Sequence, residues 1–419
     1  MAPTPANRAR WSPKRFLEAP HRLGFSAAAL VLGLSGLWWA LVLCMRFTGS
    51  QPPLTLPEPL AHALLMTWGF MPLFIVGFLF TAGPRWLQAA EVSAAQLAPS
   101  VSLYVGGVLL IMLGFHAARW LSVLGGLALT LAWASLCWRY SRLWRAGRSD
   151  DKTHASVILC ASWSGLAGLV LTLVGLAFAD DNVLRSGIYI GLWCFIATVF
   201  AAVSHRMIPF FTASALPALD AWRPLWLLWC LVGALWWLAL GQVLDLWFWP
   251  LPAVWRTLQA ALEAFSASIF LWLAVRWGLV QSLKIRLLAM LHGGFLWLGI
   301  GLALQAMHHI WMAVTGESSP LGLAPLHALT MGYLGATLFA MATRVAAGHS
   351  GRSLVADNYA WALYVLVQLA IIIRLWAALP WSPNSMLLIA IALWVAATCG
   401  WALRYVRWFG LPRQDGRPG

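Results

Sequence analysis

Apolar stretches of about twenty residues or more recur along this chain, separated by short segments rich in proline, glycine and arginine. No other feature limits the fold so strongly. A hydrocarbon core about 30 Å thick is crossed by roughly 20 helical residues. Within it every backbone N–H and C=O must find a partner inside its own segment, so such stretches become α-helices. Twelve are expected, near 23–45, 59–83, 97–117, 119–143, 155–179, 185–212, 223–247, 253–276, 286–314, 324–347, 356–378 and 385–408. The fold class is therefore all-α: a polytopic integral membrane protein of about twelve transmembrane helices. Residues 1–22 read as a basic cytoplasmic tail without the apolar core of a signal peptide. Residues 23–410 read as one helix bundle and 411–419 as a short C-terminal tail. Only 10% of the 419 residues are charged, against about 25% in soluble proteins, and no soluble domain fits between the spans.

The net charge of +14 does not point to nucleic acid, because the basic residues sit in short loops. Lys and Arg gather on the cytoplasmic side of membrane proteins. With the N-terminus inside, that side receives Arg15 and Arg22, the loop from Arg139 to Lys152, and Arg276, Lys284 and Arg286. It also receives Arg85, Arg206, Arg223, Arg344, Arg352, Arg404 and Arg407, while Arg46, Arg119, Arg185, Arg256 and Arg374 fall on the other side. Both termini are expected in the cytoplasm. The 29 tryptophans, among them Trp38, Trp39, Trp226, Trp229, Trp247, Trp249, Trp381 and Trp408, read as interface anchors and packing. The six cysteines form no CxxC pair and read as small core residues. No internal repeat is visible.

The histidines fall into two layers. Near the cytoplasmic face are His21, His205, His292 and His349; near the other are His62, His116, His308, His309 and His327. His154 reads as part of the basic loop. His327 and His349 bracket a single span, about 33 Å apart at 1.5 Å per residue. Ionisable side chains at membrane depth are functional hypotheses by default, and helix bundles build cofactor sites from facing side chains. Imidazole without thiolate suits haem, copper or zinc better than an iron–sulfur cluster. Met66 lies one turn beyond His62 on the same helix face. Arg206 and Arg344 adjoin the inner histidines and have the geometry for carboxylates such as haem propionates. Glu263, deep in the eighth span, reads either as part of a polar path or as a partner of Gln259 one turn earlier.

Four blocks carry a family resemblance: Pro20-His21-Arg22; Gly77 to Trp86, reading GFLFTAGPRW; Ser204 to Thr212, reading SHRMIPFFT; and His327 to Arg352, containing HALT, TRV and GHSGR. They resemble the NnrS family. The resemblance implies a multi-pass protein of the bacterial inner membrane that binds haem, with copper as a further cofactor, and acts in denitrification and the response to nitric oxide. One departure stands out. Where many members read HAHEM in the second span, this chain has His62-Ala63-Leu64-Leu65-Met66, with leucines for the second His and the Glu. The expectation is one or two b-type haems. The inner ligands are drawn from His21, His205, His292 and His349, with Arg206 and Arg344 nearby. A second haem or a copper would use His62, Met66, His327 and His308 or His309. Nitric oxide is the expected ligand, the bilayer the setting and quinol the expected electron donor, so that any enzyme activity would be that of a membrane oxidoreductase acting on nitric oxide. The alternative is a transporter or metal-delivery protein whose histidines hold metal transiently.

Overall fold

The computed structural model describes residues 11–416. Among them there are helices and no strand, and twelve helices or helix pairs are long and apolar enough to cross a membrane. The first span is α1 (Pro20–Phe47). The second is broken into α2 (Glu58–Trp68) and α3 (Met71–Leu87), and α4 (Ala94–His116), α5 (Arg119–Ala146) and α6 (Thr153–Phe178) follow. The sixth span runs α7 (Asp181–Tyr189), a π-helical stretch π1 (Ile190–Ala197) and α8 (Thr198–Ala215). Then come α9 (Leu225–Phe248), α10 (Ala253–Arg276), the short α11 (Leu279–Ser282) and α12 (Arg286–Thr315). The tenth span joins α13 (Ala324–His327), π2 (Ala328–Ala336) and α14 (Thr337–His349), and α15 (Asn358–Trp376) and α16 (Ser385–Phe409) complete the chain.

All twelve expected spans are present, with ends shifted by a few residues because hydropathy does not register caps. Asp180 starts α7 by accepting from the N–H groups of Asn182 and Val183 at 2.9 and 3.0 Å. Asp357 does the same for α15 through Ala360 N–H at 2.9 Å. The first helix begins at Pro20, so His21 and Arg22 belong to the bundle and not to the expected tail. Residues 1–10 and 417–419 of the two expected tails lie outside the described residues.

The second, sixth and tenth spans are the most enclosed. Each has ring neighbours: α1 and α4 beside the second span, α6 and α9 beside the sixth, α12 and α15 beside the tenth. Every fourth helix is thus interior, an order that no sequence repeat announces. In lipid, helices associate through close van der Waals contact and interhelical hydrogen bonds more than through apolar burial. Gly24 and Gly77 supply the first: a Cβ on Gly24 would lie 2.6 Å from the Gly77 Cα. Indoles supply the second, with Trp68 bonded to Thr172 at 3.0 Å, Trp193 to Gln242 at 2.7 Å and Trp401 to Thr343 at 2.9 Å. Trp38 and Trp39 are not interface anchors. Trp38 is buried and donates to His116 Nε2 at 2.8 Å, and Trp39 stacks on His62. Trp226, Trp229, Trp247, Trp249 and Trp381 are exposed as expected. Cys137 and Cys194 are buried, whereas Cys44 and Cys160 face outward.

Candidate histidine sites

Near the face at which α1 begins, the start of α1 meets the end of α14. The His21 and His349 rings lie 4.4 Å apart, and Phe25 and Phe409 stand edge-on to His21 at 6.3 and 6.0 Å. His21 is buried, and its Nδ1 has no hydrogen-bond partner in the protein. The neighbouring Arg22 is held away from the pair by the carbonyls of Phe409 and Leu411 at 3.0 and 3.1 Å and by Glu18 at 2.8 Å. The start of α1 and the end of α16 thereby meet beside this site.

His205 and His292 do not join that pair. His205 Nε2 lies 3.1 Å from the Pro224 carbonyl, and its Nδ1 lies 2.9 Å from His154 Nε2. A carbonyl only accepts, so His205 carries its proton on Nε2 and accepts from His154 on Nδ1. Both its nitrogens are engaged. His154 is no loop residue: it is buried in the first turn of α6, with its Nδ1 unpartnered. His292 Nε2 faces the Thr212 hydroxyl at 2.9 Å, and that hydroxyl donates to Ile208 O at 2.9 Å. His292 therefore donates from Nε2, and its buried Nδ1 is left bare.

Arg206 lies over the Trp86 ring at 4.7 Å and Arg344 over Phe211 at 3.8 Å. Together with Arg85 they sit near the ends of the three innermost spans on this face. Nearby, outside the spans, Asp151 accepts from the Thr153 N–H at 2.9 Å, which holds its carboxyl below the usual range.

On the opposite face, Trp39 stacks on His62 at 4.1 Å with the planes 19° apart. His62 Nδ1 is buried without a partner in the protein. His327 Nδ1 donates to Leu323 O at 2.9 Å. This fixes its tautomer and leaves Nε2 as the bare nitrogen, the arrangement by which proteins orient a ligating imidazole. Arg374 of α15 lies within electrostatic range of both histidines. Met66 is half-buried one turn from His62.

His308 and His309 belong to a different cluster, between α9, α10 and α12. His309 Nδ1 meets Glu263 at 2.7 Å and its Nε2 meets the Gln305 amide at 3.4 Å. Glu263 does not pair with Gln259. That residue bonds Arg256 at 3.1 Å, and Arg256 bonds Asp245 at 2.6 Å. His308 keeps a buried, unpartnered Nδ1.

Among the described residues no three His, Cys, Asp or Glu side chains gather into a metal cage. His62, His327, His308 and His309 are accordingly not assembled into one. Haem needs only one or two axial imidazoles. His21, with its orphaned nitrogen and His349 at its side, and the oriented His327 fit that requirement with one imidazole each, since rings 4.4 Å apart leave no room for an iron between His21 and His349.

The arrangement defines a class: a multi-pass α-helical membrane protein with histidines buried near both faces. More particularly, the chain matches the family model described as NnrS protein over residues 15–413, nearly its whole length, and belongs to that family. Membership points to a role in the response to nitric oxide. No curated protein matches the chain.

Proposed function

We propose that the chain is a b-type haem protein of the bacterial inner membrane that binds nitric oxide. The contact between His21 and His349 carries this reading: two imidazoles brought together from the first and tenth spans, with a buried nitrogen of His21 left unbonded. Bound haem would supply affinity for nitric oxide and one-electron chemistry. The chain's residues do the rest. Phe25 and Phe409 wall the pair from water, Arg22 is tied back by carbonyls so that its charge does not occupy the ligand position, and Arg206 and Arg344 offer guanidinium groups to propionates. On the other face His62 and His327 would hold a second haem, with Arg374 as the nearby cation.

The test is an absorption spectrum of detergent-purified protein, oxidised, reduced and with nitric oxide added. A Soret band that shifts with nitric oxide is expected, together with loss of haem from His21→Ala and His349→Ala and retention in His205→Ala. Absence of a Soret band in protein expressed with ample haem would sink the reading.

One observation favours the transporter alternative. Half-buried Asp245, buried Arg256 and Gln259, and the adjoining Glu263, His309, Gln305 cluster line a polar strip along α10. Charges at that depth often mark ion pathways. Metal that washes out on purification and moves across liposomes would select that function, while stoichiometric retained haem would select the first.

A further inference from the structure

Where the three innermost spans face one another, the packing leaves a chamber of about 40 Å³ between α1, α3, α8 and α14. Its walls include Phe25, Phe74, Phe200, Leu338, Met341 and Ala342. A smaller cavity of about 20 Å³ shares Phe74, Leu338 and Ala342 with it and continues between Trp394 and Trp401 of α16 and Val367 of α15. These are the two least enclosed spans, with most of their surface toward lipid. Phe74, Leu338 and Ala342 therefore form the partition between a central chamber and a second cavity on the α15–α16 side of the bundle, whose walls are themselves largely buried. Leu338 is half-buried although it lies on an interior span, because it borders both spaces.

The walls select the guest. A cavity must offer two to four polar partners to hold a water, whereas apolar cavities stay dry and take up xenon or similar molecules. Thr337 is the one polar side chain of the larger chamber; the smaller has Thr398 and the indoles of Trp394 and Trp401, the latter donating to Thr343 at 2.9 Å. The Thr398 hydroxyl is committed to Trp394 O at 2.8 Å. The Thr337 hydroxyl is buried, has no partner in the protein and lies over Gly294, where a Cβ would approach it to 2.5 Å. Its counterpart in the sixth span, Thr198, which likewise follows directly on the π-helical stretch, is fully engaged, donating to Trp193 O at 2.9 Å and accepting from Trp236 at 3.1 Å. One side of the chamber is Phe25, the ring that stands 6.3 Å from His21.

We propose that this chamber binds a single small, uncharged, apolar molecule of diatomic or xenon size, admitted from the bilayer through the cavity between α15 and α16. The site follows from the walls alone. Naming nitric oxide as its guest, poised one aromatic ring behind the His21–His349 pair, rests on the haem reading above.

Crystals of the full chain pressurised with xenon test it. An anomalous peak is expected between Phe74, Leu338 and Ala342. Ala342→Phe fills the partition and should abolish the peak, whereas Phe74→Ala widens the space and should raise occupancy severalfold. In haem-loaded protein, Ala342→Phe should also slow nitric oxide recombination after flash photolysis by tenfold or so, with the spectrum of the resting protein unchanged. No xenon peak in the unsubstituted protein, or a peak that persists at full strength in Ala342→Phe, overturns the proposal. Should Ala342→Phe fail to fold, the unsubstituted chain and Phe74→Ala decide the matter. A xenon peak in protein that takes up no haem leaves the chamber standing and removes only nitric oxide as guest. A haem-loaded protein without xenon removes the chamber alone.

Discussion

His154 donates from Nε2 to Nδ1 of His205 across 2.9 Å, and the far side of His205 dictates that direction, because its other nitrogen must donate to the Pro224 carbonyl. The two imidazoles act as one polarised unit. Replacing His205 with Ala strands a buried N–H and leaves the carbonyl short of a donor, a loss of about 1–3 kcal/mol. The double variant His154→Ala/His205→Ala should therefore cost less than the sum of the singles, by about 1 kcal/mol. Thermal unfolding of all four proteins in one detergent measures this, and strict additivity would mean that the rings merely pack.

The outer pair should behave as a separate cofactor site. His62→Ala and His327→Ala are each expected to halve the haem bound per protein, leaving the bands of the His21–His349 site in place. Pyridine haemochrome assay against protein concentration reads the ratio. His116→Gln, which touches only the Trp38 hydrogen bond, should leave it unchanged.

Gly77 opens one of the family blocks because α1 and α3 touch there. A Cβ at that position would meet the Phe25 ring at 2.7 Å. Gly77→Ala should cost about 1–3 kcal/mol through overpacking and perturb the inner haem band through Phe25 and His21. Gly106→Ala, where nothing lies within 4 Å, should do neither. Melting curves and spectra of the two variants, side by side, test the contrast.

Glu263 and His309 form a buried pair at 2.7 Å, side chains 2% and 6% exposed. Removing one member leaves a buried hydrogen-bonding group unpaired, at a cost of roughly 1–3 kcal/mol, so Glu263→Ala should lower the melting temperature. Glu263→Gln retains an oxygen acceptor for the His309 N–H and should lose much less. Equal losses in the two would show that the hydrogen bond is not what matters.

Asp357 is held below the usual carboxylate range, chiefly by the Arg404 side chain and also by the Ala360 N–H it caps. A depressed carboxylate stabilises the fold above its unfolded value of about 3.9 and loses that contribution as pH falls through the lower folded value. The side chain is 53% exposed, so only a few tenths of a kcal/mol are at stake. Asp357→Asn should melt slightly below the parent protein at pH 7, and the gap should close as pH falls below about 4 and shrink in high salt. A gap unchanged with pH would assign the effect to the cap alone.

The spans were legible because bilayer thickness translates directly into residue count, as the runs that became α4, α9 and α16 show. The two layers of histidine were legible for the same reason. What hydropathy could not convey is azimuth. Arg22, His21 and His154 stood among loop-like basic residues, yet each is buried, since the helix ends carry them inward and the partners that hold them come from elsewhere in the chain. Trp39 looked like an interface anchor until its ring proved to face His62. Glu263 found its partner on α12 and not one turn away on its own helix. Pairings between helices distant in sequence leave no periodic trace in either helix of the pair. The family blocks, by contrast, coincided with places where backbones or rings touch, Gly77 against Phe25 and His349 against His21.

The π-helical stretches have a consequence for how this sequence tolerates change. In π1 the bonding pattern spans five residues, as the Thr198 hydroxyl to Trp193 O contact echoes, so α7 and α8 are rotated against each other relative to one continuous α-helix. Deleting a single residue from 198–204, where no π-helical turn can absorb it, would turn everything beyond it by about 100°, swinging His205 off His154 and Arg206 off Trp86. The shortened span would remain long and apolar enough to enter the bilayer. Such a deletion would pass the membrane's own inspection and fail only when the helices meet, because insertion reads hydropathy and assembly reads phase.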